Sequence, residues 1–118
     1  IRRPEFVLGD RDGTTCEPEF TSLICKTLES FGYSVRINSP YKGVELVRAF
    51  SNPAAGRHSI QIEVSRALYM DESTFEQNDG FEELKSNLSR LAGVVCSYAR
   101  EKATNSDGAV LSNPQTVR

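Results

Sequence analysis

The chain has few of the residues that build the commonest metal and disulfide sites. His58 is the only histidine among 118 residues, so no motif that needs two histidines, such as HExxH, can form from this chain. Cys16, Cys25 and Cys96 are widely spaced and include no CxxC pair, which argues against a disulfide framework and a cysteine-rich zinc knuckle. We therefore expect a reducing, cytoplasmic setting, in which Cys25 and Cys96 are small buried hydrophobic residues of helices.

Charge and hydropathy exclude further classes of protein. The 14 basic and 16 acidic residues give a net charge of −2, and no region is strongly of one sign, which disfavours a nucleic-acid partner. No apolar run approaches the length of a membrane span, and no signal-peptide pattern opens the chain, so we expect no membrane association. The loop at residues 9–13 lacks both the GxxxxGK[ST] and the GxGxxG pattern, which disfavours nucleotide binding.

The order of predicted elements indicates one α/β domain. Apolar runs predict strands at residues 6–8, 33–37 and about 60–64, and helical spacing predicts helices at 18–31 and from 79 onward. Residues 44–50 are apolar but fit neither pattern. Strands that alternate with helices favour a mostly parallel or mixed sheet flanked by helices. The apolar pattern stops after residue 104, so we predict a domain over 1–104 and a disordered tail over 105–118.

The second helix carries the clearest pattern in the chain. Asp79 and Glu82 form a variant capping box at its start. Its apolar face is predicted to comprise Phe81, Leu84, Leu88, Leu91, Val95 and Tyr98.

Ligands of open α/β sheets bind beyond the carboxyl ends of the strands. The sequence therefore predicts that the loops at 9–13 and 38–43 share one rim with the end of the third strand, at 63–66.

The segment QIEV places the carboxylate of Glu63 among apolar neighbours. A carboxylate that is partly desolvated at a strand end has the raised proton affinity that a general base needs. A structural ion pair with Arg57 or Arg66 is the more ordinary use of such a residue, so both interpretations stay open at this point.

Other polar residues near the predicted loops have simpler structural uses. Cations that could bind an acidic ligand are Arg11, Lys42, Arg48, Arg57 and Arg66, and Tyr41 and Tyr69 could line a pocket. Most such residues pair with acids, pack or face solvent. His58 fits a hydrogen-bonded loop histidine better than a metal ligand. Asp10 and Asp12 fit a turn stabilised by aspartate better than a calcium loop, because the closing glutamate is absent.

Three stretches, in this order, resemble the N-formylglutamate amidohydrolase family: FVLGDRDGTTC at 6–16, NSPYKG at 38–43, and PAAGRHSIQIE at 53–63 followed by RALYMDE at 66–72. The similarity extends over residues 5 to about 95. It implies a zinc carboxypeptidase-like fold, which is a phosphorylase/hydrolase-like α/β domain. It also implies hydrolysis of N-formyl-L-glutamate, or of a similar N-acyl amino acid, to glutamate and formate.

The resemblance also implies roles for individual residues. Glu63, in the QIE motif, is the expected general base for a zinc-bound water. The substrate-binding candidates lie in or beside the matched motifs and are Arg48, Arg66, Arg11, Asn38 and Tyr41. Arg48 and Arg66 are preferred for carboxylate recognition, because each follows a short apolar stretch that could aim it.

Two differences from the family's pattern favour an alternative to this interpretation. The zinc ligands of the family lie mainly upstream of FVLGDR, so we expect a C-terminal portion with no metal ligand of its own and little activity in isolation. Ser65 stands where the family more often has asparagine. The alternative is a truncated or degenerate, non-catalytic relative that serves as a binding or interaction module.

Overall fold

Strands and helices alternate along residues 3–111, the part of the chain that the computed structural model describes, with side chains described for residues 3–104. The elements are β1 (Phe6–Gly9), α1 (Pro18–Ser30), β2 (Val35–Ile37), α2 (Glu45–Ala49), β3 (Gln61–Val64), β4 (Met70–Asp71), β5 (Glu76–Gln77) and α3 (Phe81–Leu111). Short 3₁₀ turns occupy Pro53–Ala55 and Arg66–Leu68. The predicted α/β class is confirmed, and residues 45–49 of the undecided stretch 44–50 form α2.

The central sheet is mixed, with the strand order β2-β1-β3. β1 runs parallel to β2, whereas β3 runs antiparallel to β1, with Gly9 opposite Gln61 and Phe6 opposite Val64. The start of β3 therefore lies beside the carboxyl ends of β1 and β2. At the other end, Ser65 N–H donates to the Glu5 carbonyl over 2.9 Å. The prediction that residues 63–66 share the rim is wrong, because it assumed a parallel third strand.

Alternation along the strands directs one set of side chains toward the helices. Phe6 and Leu8 of β1 are fully buried, as is Leu28 of α1. They belong to one apolar cluster that is completed by Cys16, Phe20, Ile24, Leu84 and Leu91. Both α1 and α3 thus cover the same face of the sheet. Val7 and Glu63, which are partners across β1 and β3, point to the opposite face.

The predicted apolar face of α3 is confirmed from Leu84 to Tyr98: Leu84 and Leu91 are buried, and Leu88, Val95 and Tyr98 pack against the core cluster. Phe81, which was also predicted for this face, is half-buried and lies outside that cluster.

The N-terminus of α3 differs from the prediction. Asn78 Oδ1 accepts the Gly80 N–H over 2.9 Å, and the helix begins at Phe81, so the side chain that supports the turn before α3 is that of Asn78 and not that of Asp79. The helix continues to Leu111, so residues 105–111 are helical rather than part of a tail. Residues 112–118 lie outside the described residues.

The three cysteines are free and differ in burial. Cys16 is buried in the core, Cys25 is half-buried and Cys96 is exposed on α3, so the prediction for Cys96 is wrong. Burial raises the pKa of the Cys16 thiol, which keeps it protonated. Among the described residues, no helix combines the length and apolarity needed to cross a membrane.

The core predicts a clear contrast between two leucines. Leu28 is 0% exposed and Leu46 is 65% exposed. Leu28→Ala should lower the free energy of unfolding by about 2–5 kcal/mol through lost burial and a residual cavity, whereas Leu46→Ala should change it by less than about 0.5 kcal/mol. Urea unfolding followed by circular dichroism measures both variants. Equal losses would contradict the core described here.

Candidate functional site

A buried carboxylate organises the rim of the sheet. Asp10 follows β1 directly and is only 4% exposed. Its Oδ1 accepts the Gly13 N–H at 2.8 Å and the Asn38 side-chain amide at 2.6 Å, and its Oδ2 accepts the Thr21 hydroxyl at 2.7 Å. One side chain therefore joins the ends of β1 and β2 to α1. The predicted aspartate-stabilised turn is confirmed by the bond to Gly13.

The hydrogen bonds of Asp10 also keep it ionised. Burial by itself would raise the pKa of the Asp10 carboxyl, but the hydrogen bonds from Asn38, Thr21 and Gly13 outweigh burial and hold the pKa below its ordinary value. Asn38 also accepts the Asp10 backbone N–H, over 3.0 Å, with its side-chain oxygen. Both ends of the Asn38 amide are therefore engaged by Asp10, so Asn38 acts as a positioning residue here.

Gly9 lets the loop at 38–43 lie directly against β1. A Cβ atom at position 9 would lie 2.7 Å from the backbone of Lys42 and Gly43. Any residue larger than glycine would therefore clash with the loop. Arg11 then clamps the loop, because its N–H donates to the Lys42 carbonyl at 2.7 Å and its guanidinium donates to the Gly43 carbonyl at 2.9 Å. The loop holds Tyr41 and Lys42 beside two separate depressions.

The first depression, which we call the groove, has a volume of about 340 Å³ and brings together three of the predicted site residues, Tyr41, Glu63 and Arg66. Glu63 is exposed and lies within β3 rather than at its end. Its neighbours Ile62 and Val64 belong to the core-facing side. The expected desolvation of Glu63 by apolar neighbours is therefore wrong, because strand alternation turns those neighbours away from the carboxylate.

The second depression, which we call the cleft, has a volume of about 310 Å³ and is lined by Arg11, Asp12, Thr14, Lys42 and Arg48. Lys42 Nζ lies 3.0 Å from Asp12 Oδ2. Three cations and one carboxylate give the lining a net positive charge, which favours an anionic ligand.

Arg48 is already engaged by an acid of its own helix. Its Nε lies 2.9 Å from each carboxylate oxygen of Glu45, and this pair is exposed to solvent. The hydrogen bond and charge of Glu45 raise the pKa of Arg48, so the guanidinium stays protonated and would exchange one carboxylate partner for another on binding an acid.

Gln61 connects the loop to Glu63, and the sequence interpretation assigned it no role. Its side-chain oxygen accepts the Val44 N–H over 3.2 Å, and its side-chain nitrogen donates to Glu63 Oε1 over 3.2 Å. The available signal was period-two alternation, which places Gln61 and Glu63 on one face of β3. Gln61 thus orients the carboxylate in the groove.

The remaining sequence candidates lie outside the groove and the cleft. His58 Nδ1 accepts the Glu17 N–H at 3.1 Å, which confirms the prediction of a hydrogen-bonded loop histidine. Tyr69 packs against the core, and Arg57 is exposed. Within residues 3–104, Glu63 forms no ion pair with Arg57 or Arg66, so the structural ion pair considered for Glu63 is not formed.

Metal-ligating side chains are dispersed in this part of the fold. Among the described residues, no three side chains of His, Cys, Asp or Glu come together as a group that could hold a metal ion. A complete metal centre would need ligands from elsewhere.

Asp10→Asn should destabilise the protein in a pH-dependent way. Because the pKa of folded Asp10 lies below its ordinary value, its ionised form stabilises the fold above about pH 4, and this contribution is lost as the pH falls through the folded pKa. At pH 7 we expect a loss of about 1–3 kcal/mol in the free energy of unfolding. The difference from wild type should shrink in urea titrations below pH 4.

Asp12→Asn is the matched control, because Asp12 is exposed and pairs only at the surface with Lys42; this substitution should change stability little. A difference for Asp10→Asn that stays constant from pH 7 to pH 2.5 would contradict the ionised role.

Comparison with known proteins relates this geometry to a family. Residues 1–70 match the family model described as N-formylglutamate amidohydrolase. The chain is 34% identical over 106 residues to an N-formylglutamate deformylase of Pseudomonas aeruginosa, covering 86% of this chain and 39% of the relative. It is also 34% identical over 73 residues to an N-formylglutamate deformylase of Pseudomonas putida, covering 59% of this chain and 27% of that relative.

A solved structure extends the similarity to three dimensions. The N-formylglutamate amidohydrolase of Ralstonia eutropha JMP134 superposes with a TM-score of 0.83 at 46% sequence identity, over 86% of this chain and 36% of that chain. The chain thus spans about two-fifths or less of the length of the relatives that it matches. The family model, the sequence identity and the shared structure together show that the chain belongs to the N-formylglutamate amidohydrolase family.

Proposed function

We propose that this chain, together with the polypeptide that its relatives carry beyond the matched stretch, forms an enzyme that hydrolyses N-formyl-L-glutamate, or a similar N-acyl amino acid, to glutamate and formate. Family membership supports the substrate class. The observation that carries the proposal is the groove, in which the carboxylate of Glu63 lies open to a ligand beside Arg66 and Tyr41.

Glu63 is proposed as the general base and then the general acid. Its carboxylate accepts a proton from the attacking water as the water oxygen bonds to the formyl carbon. The resulting carboxylic acid returns that proton to the amide nitrogen as the carbon–nitrogen bond breaks, which releases formic acid and the amine of glutamate. The formic acid then gives its proton to the amine and leaves as formate. The hydrogen bond from Gln61 supports this role because it holds one carboxylate oxygen in place and leaves the other free.

The cations of the groove and the cleft are proposed to bind the two carboxylates of the substrate. Arg66 lines the groove together with Tyr41, and Arg11 and Arg48 line the cleft together with Lys42. Arginine binds a carboxylate through two parallel hydrogen bonds, so one arginine could hold each of the two substrate carboxylates.

Zinc is proposed as the cofactor of the whole enzyme, on a zinc carboxypeptidase-like fold, from the family resemblance alone. The described residues do not fit a zinc site by themselves, because they bring no three ligating side chains together, so its ligands are proposed to come from outside residues 3–104. Zinc in hydrolases lowers the pKa of a bound water and polarises a carbonyl. The three free cysteines support a reducing, cytoplasmic setting for this enzyme.

The second candidate function is a non-catalytic binding module. It is favoured by the solvent exposure of Glu63 and by the engagement of Arg48 with Glu45, both of which suit surface residues without a reaction to perform. The two candidates are separated by the following variants.

Glu63→Gln should remove turnover while leaving substrate binding in place. The assay uses a chimera in which this chain replaces the matched stretch of the Ralstonia eutropha amidohydrolase. A lost general base should lower kcat by about 10²–10⁴-fold with little change in KM, measured as formate release. Glu76→Gln, at an exposed position on β5, is the matched control and should keep the wild-type rate. Equal rates for Glu63→Gln and wild type would remove Glu63 from the role of general base, whereas a folded chimera that releases no formate with Glu63 in place would support the binding module.

Arg66→Met and Arg48→Met should each raise KM with a smaller effect on kcat, because each removes a charge-assisted contact to a substrate carboxylate. We expect roughly a tenfold rise or more per arginine. Arg57→Met is the control, since Arg57 is an exposed arginine outside the groove and the cleft. An unchanged KM for either variant would remove that arginine from substrate binding.

A further inference from the structure

The short helix α2 exposes two large apolar side chains on one side. Leu46 is 65% exposed and Phe50, the residue that ends the helix, is 70% exposed. They are four residues apart, so they lie on the same face, one turn from each other. Val47 is the only residue of α2 that is buried, at 7% exposure. The helix therefore contacts the rest of the fold through Val47 and presents Leu46 and Phe50 outward.

Within the described residues, only one side chain of α2 is buried by packing. A helix of five residues is too short to be stable in water without packing. Within residues 3–104, β2 is also an edge strand of the central sheet, because it pairs only with β1. α1 and α3 both pack against the face of the sheet that carries Phe6 and Leu8, whereas the opposite face carries the buried Val7 and the exposed Glu63.

The family supplies an occupant of the right kind. The Ralstonia eutropha structure matches 86% of this chain with a TM-score of 0.83, yet the match includes only 36% of that chain. Most of that protein therefore lies outside the fold described here and is available to pack against it.

We propose that Leu46 and Phe50 form a docking surface for the polypeptide that family members carry beyond the matched stretch, whether it is joined to this chain or separate from it. This inference rests on family membership and not on the proposed hydrolysis. A second copy of this chain is the competing occupant.

The test compares one double substitution in two settings. Leu46→Asp with Phe50→Asp should shift the Tm of this chain alone by less than about 2 °C, because both side chains are exposed there. In the chimera described above, the same pair should lower the Tm by about 5 °C or more, because two charges would be buried at an interface. Phe75→Asp is the control: Phe75 is 76% exposed but lies between β4 and β5, and its effect should be small in both settings.

Three results would overturn the proposal. The first is an equal Tm shift for the double variant in the chain alone and in the chimera. The second is a chimera that fails to fold where the parent amidohydrolase folds, since the exchanged stretch would then not fit the remainder. The third is a dimer of this chain, seen by light scattering, that the double substitution dissociates, which would assign the surface to a second copy. Formate release is not part of this test, so an inactive chimera with the predicted Tm shifts would contradict only the proposed function.

Discussion

The buried, ionised carboxylate of Asp10 is the constraint on which the arrangement of the candidate site depends. It joins the turn after β1, the end of β2 through Asn38, and the first turn of α1 through Thr21. An isolated buried charge would be costly, and these hydrogen bonds compensate for that cost. The end of β2 leads into the loop that carries Tyr41 and Lys42, so the positions of the groove and the cleft both follow from this one side chain.

The direction of β3 divides the candidate residues between two depressions. The alternation in QIEV correctly predicted a strand with Glu63 on its polar face, because side-chain alternation is a local property of the backbone. The pattern could not predict whether β3 runs parallel or antiparallel to β1, because that choice depends on how the chain crosses from α2 to β3. The shared rim predicted for residues 63–66 was wrong for this reason. The desolvation predicted for Glu63 was wrong for a different reason, because strand alternation turns Ile62 and Val64 away from its carboxylate.

Elements with long periodic patterns were the most predictable. The apolar face of α3 from Leu84 to Tyr98 was predicted from its spacing, and Pro18 and Gly32 correctly bracketed α1. The network around Asp10 was only partly predictable: its turn was expected, but its bond to Asn38 spans 28 residues of sequence. The exposed Leu46 and Phe50 have the hydropathy of core residues, so composition could not distinguish a surface for another polypeptide from a core.

We propose that this family member contributes the reacting carboxylate and the substrate-binding cations of a formylamino-acid hydrolase. The most direct measurement is the yield of formate and glutamate from N-formyl-L-glutamate, together with zinc content, for this chain alone and for the chimera with the Ralstonia eutropha segment. We predict equal amounts of the two products and one bound zinc from the chimera, and neither from the chain alone. A folded chimera that binds zinc but releases no formate would contradict the claim.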